Sequence, residues 1–183
     1  MNSDHGDLPD EVLVSNARSG DARSFELLFE RYYDMIHAFA YRLCLVEAEA
    51  DDIAQEAFIR AARGLAGYRA TASFKNWLYR IAHNAAIDSR RRDARHNEGL
   101  NQLAANTEGQ SSMRKHDYSA IYQAMEKLSS ELREAVALVY FDGMNHREAA
   151  TVMGCAETTV SWRIMLARRT LKKLLKAHAG DVA

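Results

Sequence analysis

Apolar residues recur at intervals of three and four positions through most of the chain, which is the spacing of one face of an α-helix. The clearest run predicts a long amphipathic helix that begins after Asp21. Its apolar face consists of Phe25, Leu28, Phe29, Tyr32, Ile36, Phe39 and Leu43. Further helices are predicted over 9–19, 48–63 and 74–93. No segment alternates apolar and polar residues as a half-buried strand does, so the first half is predicted to be helical.

The helical spacing is lost over 96–117, a polar stretch that we expect to be a linker without a fixed fold of its own. It resumes near Tyr118 in two further helices. Their apolar positions are Ile121, Met125 and Leu128, and then Leu132, Val136, Val139 and Tyr140. The predicted fold class is therefore all-α, with two helical domains over 8–95 and 118–177 joined by a flexible linker.

The most specific local pattern lies within residues 143–175. Asn145 and Glu148 have the spacing of a capping box at the start of a helix. Gly154 suits the left-handed position that ends such a helix, and a second helix is predicted to begin near Glu157. A short helix, a glycine turn and a second helix form a helix-turn-helix.

On a helical wheel, the second of these helices has one buried stripe, made of Val160, Ile164, Ala167, Leu171, Leu174 and Leu175. Trp162 and Arg169 point almost directly away from that stripe, with Met165 beside them. Trp162 is then an exposed apolar side chain on a basic face, available to DNA or to a partner protein. The alternative, in which Trp162 is ordinary core, requires the helix to be buried on two sides.

The net charge of −1 conceals a strong asymmetry along the chain. Residues 1–59 carry a net charge of −9, and residues 60–95 carry +7. A second basic segment, 163–176, holds six basic residues and no acidic one. Two basic segments favour a polyanionic partner, although solvated helix faces remain the alternative.

Composition excludes several other classes of protein. No apolar run approaches the roughly 20 residues of a membrane span, so no membrane insertion is expected. Cys44 and Cys155 lack metal-ligand spacing, and we interpret both as reduced thiols. No nucleophile constellation, nucleotide-binding loop or metal motif occurs, so neither a catalytic site nor a metal or other cofactor is expected.

Three segments in order carry a family resemblance: EADDIAQEAFIRA (49–61), SFKNWLYRIAHNAAIDSRRR (73–92) and the stretch 128–171 around the helix-turn-helix. Together they resemble the extracytoplasmic-function (ECF) sigma factors of the sigma-70 family, over about 21–175. The resemblance implies a cytoplasmic, non-enzymatic promoter-specificity subunit. Its implied partners are core RNA polymerase (the β′ clamp and the β flap), promoter DNA and an anti-sigma factor.

The resemblance also implies roles for residues of the first domain. It assigns binding of core polymerase to Asp51, Asp52, Gln55 and Glu56, although an acidic solvated surface is the alternative. It assigns recognition and melting of the −10 element to Tyr68, Arg69, Ala70, Thr71, Ala72, Ser73, Lys75, Arg80, Asn84, Arg90, Arg91 and Arg92. In this assignment the loop 68–73 captures a flipped base that Asn84 helps to hold. Trp77 and Tyr79 fit either stacking on a single strand or ordinary core, with core favoured for Trp77.

In the second domain, recognition of the −35 element is assigned to Thr158, Thr159, Ser161, Trp162, Arg163, Met165, Leu166, Arg168 and Arg169. The chain departs from the family pattern at Ser161 and Leu166, where the family often has Lys or Arg, and at Trp162, where a small residue is common. We expect intact phosphate anchoring but altered base readout, with contacts to thymine methyl groups as one option. Two rival functions remain open: a decoy that binds an anti-sigma factor, and a helix-turn-helix repressor.

Overall fold

A computed structural model describes residues 8–100 and 119–180, which form two domains of four helices each. The N-terminal domain comprises α1 (Asp10–Arg18), α2 (Ala22–Cys44), α3 (Glu47–Gly64) and α4 (Phe74–Leu100). The C-terminal domain comprises α5 (Ser119–Glu126), α6 (Ser130–Val136), α7 (His146–Met153) and α8 (Glu157–Gly180). A 3-10 turn, Leu65–Gly67, follows α3, and a π-helical turn, Ala137–Phe141, follows α6. No strand occurs in either described range, which confirms the all-α prediction.

The core of the N-terminal domain forms where α2 packs against α3 and α4. Asp21 caps α2, its side chain accepting a hydrogen bond from Arg23 N at 3.2 Å, as its position predicts. Leu28, Ile36 and Phe39 on the apolar face of α2 are fully buried. Burial of each such side chain contributes about 1.5–3 kcal/mol, so this face fixes the position of α4 against α2.

The helix-turn-helix has the predicted geometry. Asn145 Oδ1 accepts from Glu148 N at 3.0 Å, and Glu148 Oε2 accepts from Asn145 N at 2.9 Å, which completes the capping box. Gly154 ends α7 with φ 63°, in the left-handed region. On α8, Val160 is fully buried whereas Trp162 is 56% exposed. These exposures confirm the orientation that the helical wheel predicts for α8. The alternative, in which Trp162 is part of the core, is wrong.

Two predictions about the helices are corrected by the structure. Tyr140 was predicted to face inward, but it is exposed because the π-helical turn shifts the register after Val136. Helix α4 continues to Leu100 rather than ending near Asp93, since loss of apolar spacing marks the end of burial and not the end of a helix. The remainder of the predicted linker 96–117, from residue 101 on, lies outside the described residues.

The two domains pack against each other, α4 against α7 and α2 against α6. Arg133 of α6 joins them, because its Nη1 donates to the carbonyl oxygen of Leu43 at the end of α2, at 3.0 Å. The same guanidinium also donates to carbonyl groups of Met125, Glu126 and Leu128. One side chain thus fixes the turn after α5 and holds it against the other domain.

Candidate nucleic-acid interface

Helix α4 presents three different faces. One contributes the buried residues Phe74, Leu78 and Ala85 to the core. A second faces outward, where Arg80, Asn84 and Arg91 are exposed and align at intervals of four and seven residues. The third carries Tyr79 and His83, which are buried toward the C-terminal domain. The outward face thus combines cationic groups with an amide that can both donate and accept hydrogen bonds.

The loop before α4 is held by its own side chains. Tyr68 is buried, and its hydroxyl donates to the carbonyl oxygen of Ala72 at 2.7 Å. Ser73 Oγ accepts from the backbone N–H of Asn76 at 3.2 Å in the first turn of α4. Between these anchors the loop residues Arg69, Ala70 and Thr71 are exposed, while Ala72 is half-buried and Ser73 exposed. The loop therefore has a fixed base and an accessible tip.

Aromatic rings pack together at the base of this loop. The Trp77 ring lies 5.0 Å from Tyr68 and 5.6 Å from Phe74, and Trp77 packs against the core as predicted. A cavity of about 120 Å³ lies between the loop and α1, lined by Asp10, Glu11, Val14, Ser15, Arg18, Tyr68, Ala70 and Phe74. Tyr79 is fully buried, so the stacking role considered for it is wrong.

The acidic face of α3 separates into paired and exposed side chains. His37 Nε2 lies 3.0 Å from Asp51 Oδ1, and Glu56 Oε1 accepts from Arg60 Nε at 2.7 Å. Asp52 and Gln55 are exposed. The apolar side chain of Ile59, one turn after Gln55, is 45% exposed. Ile59 was not singled out from the sequence, although a wheel centred on the predicted inward residues of α3 places it outside their stripe.

Arg60 also connects α3 to α4. Its Nη1 donates to Asp88 Oδ2 at 2.6 Å. This hydrogen bond is the main reason why the pKa of the Asp88 carboxyl is lowered, and Arg91 and Arg92 act in the same direction. The basic end of α4 is therefore linked to the acidic helix beside it.

On α8 the exposed stripe is Thr158, Trp162, Met165 and Arg169. Trp162 is 56% exposed and Met165 is 62% exposed. Arg168 is also exposed, whereas Thr159, Arg163 and Leu166 are half-buried. Leu166 packs against the core, and Arg163 Nη1 lies 3.8 Å from Cys155 Sγ. Of the residues predicted to recognise the −35 element, some thus lie on the outward stripe and others face the rest of the domain.

Ser161 is exposed but engaged. Its Oγ donates to the carbonyl oxygen of Glu157 at 3.1 Å and lies 2.8 Å from His146 Nδ1 of α7. The hydroxyl therefore ties the two helices of the helix-turn-helix together.

Polar contacts between the domains involve one of the predicted DNA-binding residues. Arg42 Nη1 donates to Asp142 Oδ1 at 2.9 Å, and Lys75 Nζ donates to the carbonyl oxygen of Asp142 at 3.4 Å. Burial raises the pKa of the Asp142 carboxyl, although Arg42 opposes that shift. Burial also raises the pKa of the neighbouring Tyr79 hydroxyl. Lys75 is thus directed toward the C-terminal domain.

A cleft of about 450 Å³ between the domains brings together arginines predicted for two different DNA elements. Arg90 and Arg91 of α4 and Arg163 of α8 line it, together with Glu131 of α6. Hydrogen bonds from its own backbone and from Ser129 lower the pKa of Glu131, and Arg163 and Arg90 lower it further. In this arrangement some of the arginines face carboxylates across the domain contact.

An apolar groove of about 910 Å³ lies elsewhere on the C-terminal domain. The exposed rings of Tyr140 and Phe141 contribute to it, next to Ile121 and Leu171. Arg168, Arg169 and Lys172 also line it. The π-helical turn creates this groove because it exposes both rings.

Two further properties concern the described ranges as a whole. Within residues 8–100 and 119–180, no group of three His, Cys, Asp or Glu side chains is placed to hold a metal ion. None of the helices in those ranges is both long and apolar enough to cross a membrane.

Comparison with known proteins identifies the family. The protein-family model of sigma-70 region 2 matches residues 28–96, and the family model of sigma-70 region 4 matches residues 118–171. The RNA polymerase sigma-H factor of Pseudomonas aeruginosa is 35% identical over 181 residues, covering 91% of this chain and 94% of that protein. The ECF RNA polymerase sigma-E factor of Escherichia coli K12 is 32% identical over 178 residues, covering 90% of this chain and 93% of that protein.

This chain is an ECF sigma factor of the sigma-70 family. A solved structure of CnrH in complex with the cytosolic domain of CnrY has a TM-score of 0.71 at 29% identity, covering 92% of this sigma factor and 97% of that chain. The sigma factor RpoE of Bartonella quintana, solved with the anti-sigma factor NepR, has a TM-score of 0.73 at 24% identity. The match covers 85% of this sigma factor and 98% of that chain. The second likeness shows a shared fold. The helices α1–α4 are hereafter the sigma-2 domain, and α5–α8 the sigma-4 domain.

Proposed function

We propose that this ECF sigma factor is a cytoplasmic promoter-specificity subunit that acts without catalytic chemistry of its own. In this proposal the sigma-2 domain ends with α4, the sigma-4 domain comprises α5–α8, and a linker joins the two. One observation carries the proposal: the chain presents two separate surfaces with exposed cations and base-reading groups, the outward face of α4 and the outward stripe of α8. Two such surfaces suit two separated promoter elements better than a single operator half-site.

The −10 element is assigned to the loop 68–73 and the outward face of α4. The loop tip is accessible while its base is anchored, so the backbone around Ala70 can contact an unstacked base without reorganising. The adjacent cavity of about 120 Å³ is lined by aromatic rings and carboxylates. Asn84 supplies donor and acceptor groups on the outward face of α4, and Arg80, Arg91 and Arg92 supply exposed charges for phosphates.

The −35 element is assigned to α8. Helices of this kind contact bases from their N-terminal residues, and Thr158 and Trp162 occupy that part of the exposed stripe. Arg168 and Arg169 are exposed further along the helix and are placed to contact phosphates. The capping box and the Ser161–His146 contact support this assignment because they hold α8 at a defined angle to α7.

Binding of core polymerase is assigned to the exposed part of α3, which would contact the β′ clamp. Asp52 and Gln55 provide polar contacts, and Ile59 provides an apolar one on the same side of the helix. Asp51 and Glu56 are already paired with His37 and Arg60. In this proposal they therefore position those neighbours and do not contact the polymerase directly. The sigma-4 domain is assigned to the β flap, and an anti-sigma factor is proposed as the inhibitor.

A binding experiment separates this proposal from its rivals. Purified protein is mixed with core polymerase, and the mixture is analysed by gel filtration with and without labelled promoter DNA from the chain's own operon. We expect a sigma–core complex that binds the promoter, and little binding by the free protein. Failure to bind core polymerase would indicate a decoy. Strong promoter binding without polymerase would indicate a repressor.

A further inference from the structure

Two large apolar side chains project from the N-terminal half of α8 into solvent. Trp162 is 56% exposed and Met165 is 62% exposed. They lie on one stripe with Thr158 before them and Arg169 after them. The helix to which they belong is fixed, since its N-terminal turn follows the capped α7 and the Gly154 turn. The exposure of these two side chains is therefore a property of a rigid surface.

The polar groups that would otherwise read bases from this part of α8 are already engaged or turned away. Ser161 Oγ bonds Glu157 and contacts His146, so its hydroxyl is occupied within the helix-turn-helix. Thr159 and Arg163 are half-buried, with Arg163 beside Cys155. Leu166 is apolar and packs against the core. Thr158 and Arg169 are left as the exposed polar side chains at the two ends of the stripe. Base contacts from the part of the stripe between them must then be predominantly apolar.

The charge around the stripe favours DNA over a protein partner as the occupant. From Arg163 to Lys176 the helix carries six basic residues and no acidic one. The exposed charges at Arg168, Arg169 and Lys172 are placed to neutralise phosphates on either side of a groove. The sigma-4 domain also has a concave apolar groove, next to Tyr140 and Phe141, which is a better shape for a protein segment than two isolated side chains.

The apolar feature of base edges in the major groove is the 5-methyl group of thymine. Trp162 and Met165 are three residues apart, which corresponds to a rise of about 4.5 Å along the helix. Successive base pairs rise by about 3.4 Å, so the two side chains reach neighbouring base pairs.

Resting on the proposed function of α8, we propose that Trp162 and Met165 recognise thymine methyl groups at two adjacent base pairs of the −35 element. Trp162 covers one methyl group and Met165 the next. Arg168 and Arg169 hold the helix to the phosphates without contributing to the choice of base.

Replacement of thymine by deoxyuridine tests this proposal, because it removes only the methyl group and leaves every hydrogen-bonding group in place. Holoenzyme first selects its preferred −35 elements from a duplex pool randomised at those positions. Each thymine of the selected element is then replaced singly by deoxyuridine, and binding is measured by competition at constant salt. We expect about a fourfold loss at each of two adjacent pairs, the equivalent of ~0.8 kcal/mol for a methyl-sized group.

Substitutions then connect each methyl group with its side chain. Trp162→Ala should abolish the effect of deoxyuridine at one base pair, and Met165→Ala should abolish it at the neighbouring pair. Trp162→Phe should retain most of the effect at the first pair. Arg169→Ala is the matched control: it should weaken binding to all sequences and preserve both methyl effects. Circular dichroism checks that each variant is folded.

The outcomes separate the inference from the function on which it rests. Selection of a defined −35 element whose binding is unaffected by deoxyuridine, or by Trp162→Ala and Met165→Ala, would overturn the methyl assignment and leave the proposed function intact. Unchanged DNA binding by both variants would also indicate that the stripe serves a protein. If holoenzyme selects no −35 element at all, the proposed function fails as well.

Discussion

His83 of α4 and Glu134 of α6 form a hydrogen bond across the contact between the two domains, with His83 Nδ1 as donor and Glu134 Oε1 as acceptor. Both side chains are buried. Arg42 and Asp142 form a second, half-buried pair in the same contact. Tyr41 and Tyr122 also pack across the contact with ring centroids 5.8 Å apart, so the polar pairs lie within an otherwise apolar contact.

The contact bears directly on promoter recognition. Elements near −10 and −35 lie about 25 base pairs apart, roughly 85 Å along B-DNA. Domains packed directly together do not span that distance, so we expect them to separate when the promoter is bound. The polar pairs favour separation, because water and DNA phosphates can replace their hydrogen bonds.

The Glu134→Gln variant should loosen the contact. The amide keeps the shape of the carboxylate but replaces a charged acceptor of His83, at an expected cost of about 2 kcal/mol. Small-angle scattering of the free protein should show a larger radius of gyration than wild type. Glu157→Gln is the control, since Glu157 is exposed and its carboxylate lies near Arg147 within the sigma-4 domain, so the radius should stay unchanged. Equal radii for the two variants would show that the His83–Glu134 pair does not hold the domains together.

Reversing the charge at Asp52 should weaken binding to core polymerase. We expect Asp52→Lys to raise the dissociation constant about tenfold and to reduce its salt dependence, because the exposed carboxylate faces a cationic partner in this account. Fluorescence anisotropy with labelled protein at two salt concentrations measures both effects. Glu47→Lys makes the same change about 140° around α3 and should have little effect. Equal losses from the two variants would point to net charge and not to a specific surface.

Substitution of Asn84 should affect transcription and not assembly. Asn84→Ala removes a side chain that is expected to hydrogen-bond a base, so transcription should fall about 10- to 100-fold. Affinity for core polymerase should stay the same, since Asn84 lies on the outward face of α4 and away from α3 residues 52–59. Gln123→Ala, an exposed amide of α5, is the control. Parallel losses of transcription and core binding would place Asn84 in a polymerase contact instead.

The Cys44 thiol should react slowly at neutral pH. Burial raises its pKa to about 11, and the thiol lies near the carbonyl oxygens of Ala40 and Val46. Because the thiolate is the reactive form, alkylation at pH 8 should be about two orders of magnitude slower than for an ordinary cysteine. The rate should rise about tenfold per pH unit until the pH approaches 11. In a Cys155→Ser variant, an ordinary rate at pH 8 without denaturant would show that the end of α2 is open to solvent.

The helices and their buried faces could be predicted because each depends on residues close together in the sequence. The spacing from Phe25 to Leu43 predicted α2, and Asn145, Glu148 and Gly154 predicted the geometry of the helix-turn-helix. Local hydrogen bonding and helical periodicity determine such features. The exposure of Trp162 followed from the same periodicity.

The contact between the domains could not be predicted in this way. Tyr79 and His83 interact with Asp142 and Glu134, which are more than fifty positions away in the sequence. Tyr140 was assigned to the wrong environment because one π-helical turn shifts all later positions by a fraction of a turn. The engagement of Ser161 by His146 likewise depends on how α7 and α8 pack.

Run-off transcription tests the central claim most directly. Core polymerase is supplemented with this protein on the promoter of its own operon, and on versions in which the −10 or the −35 element is replaced. We predict a transcript that requires the protein and that is lost when either element is replaced. A transcript that persists when both elements are replaced, or that core polymerase produces alone, would contradict the account of this chain as a two-domain promoter-specificity subunit.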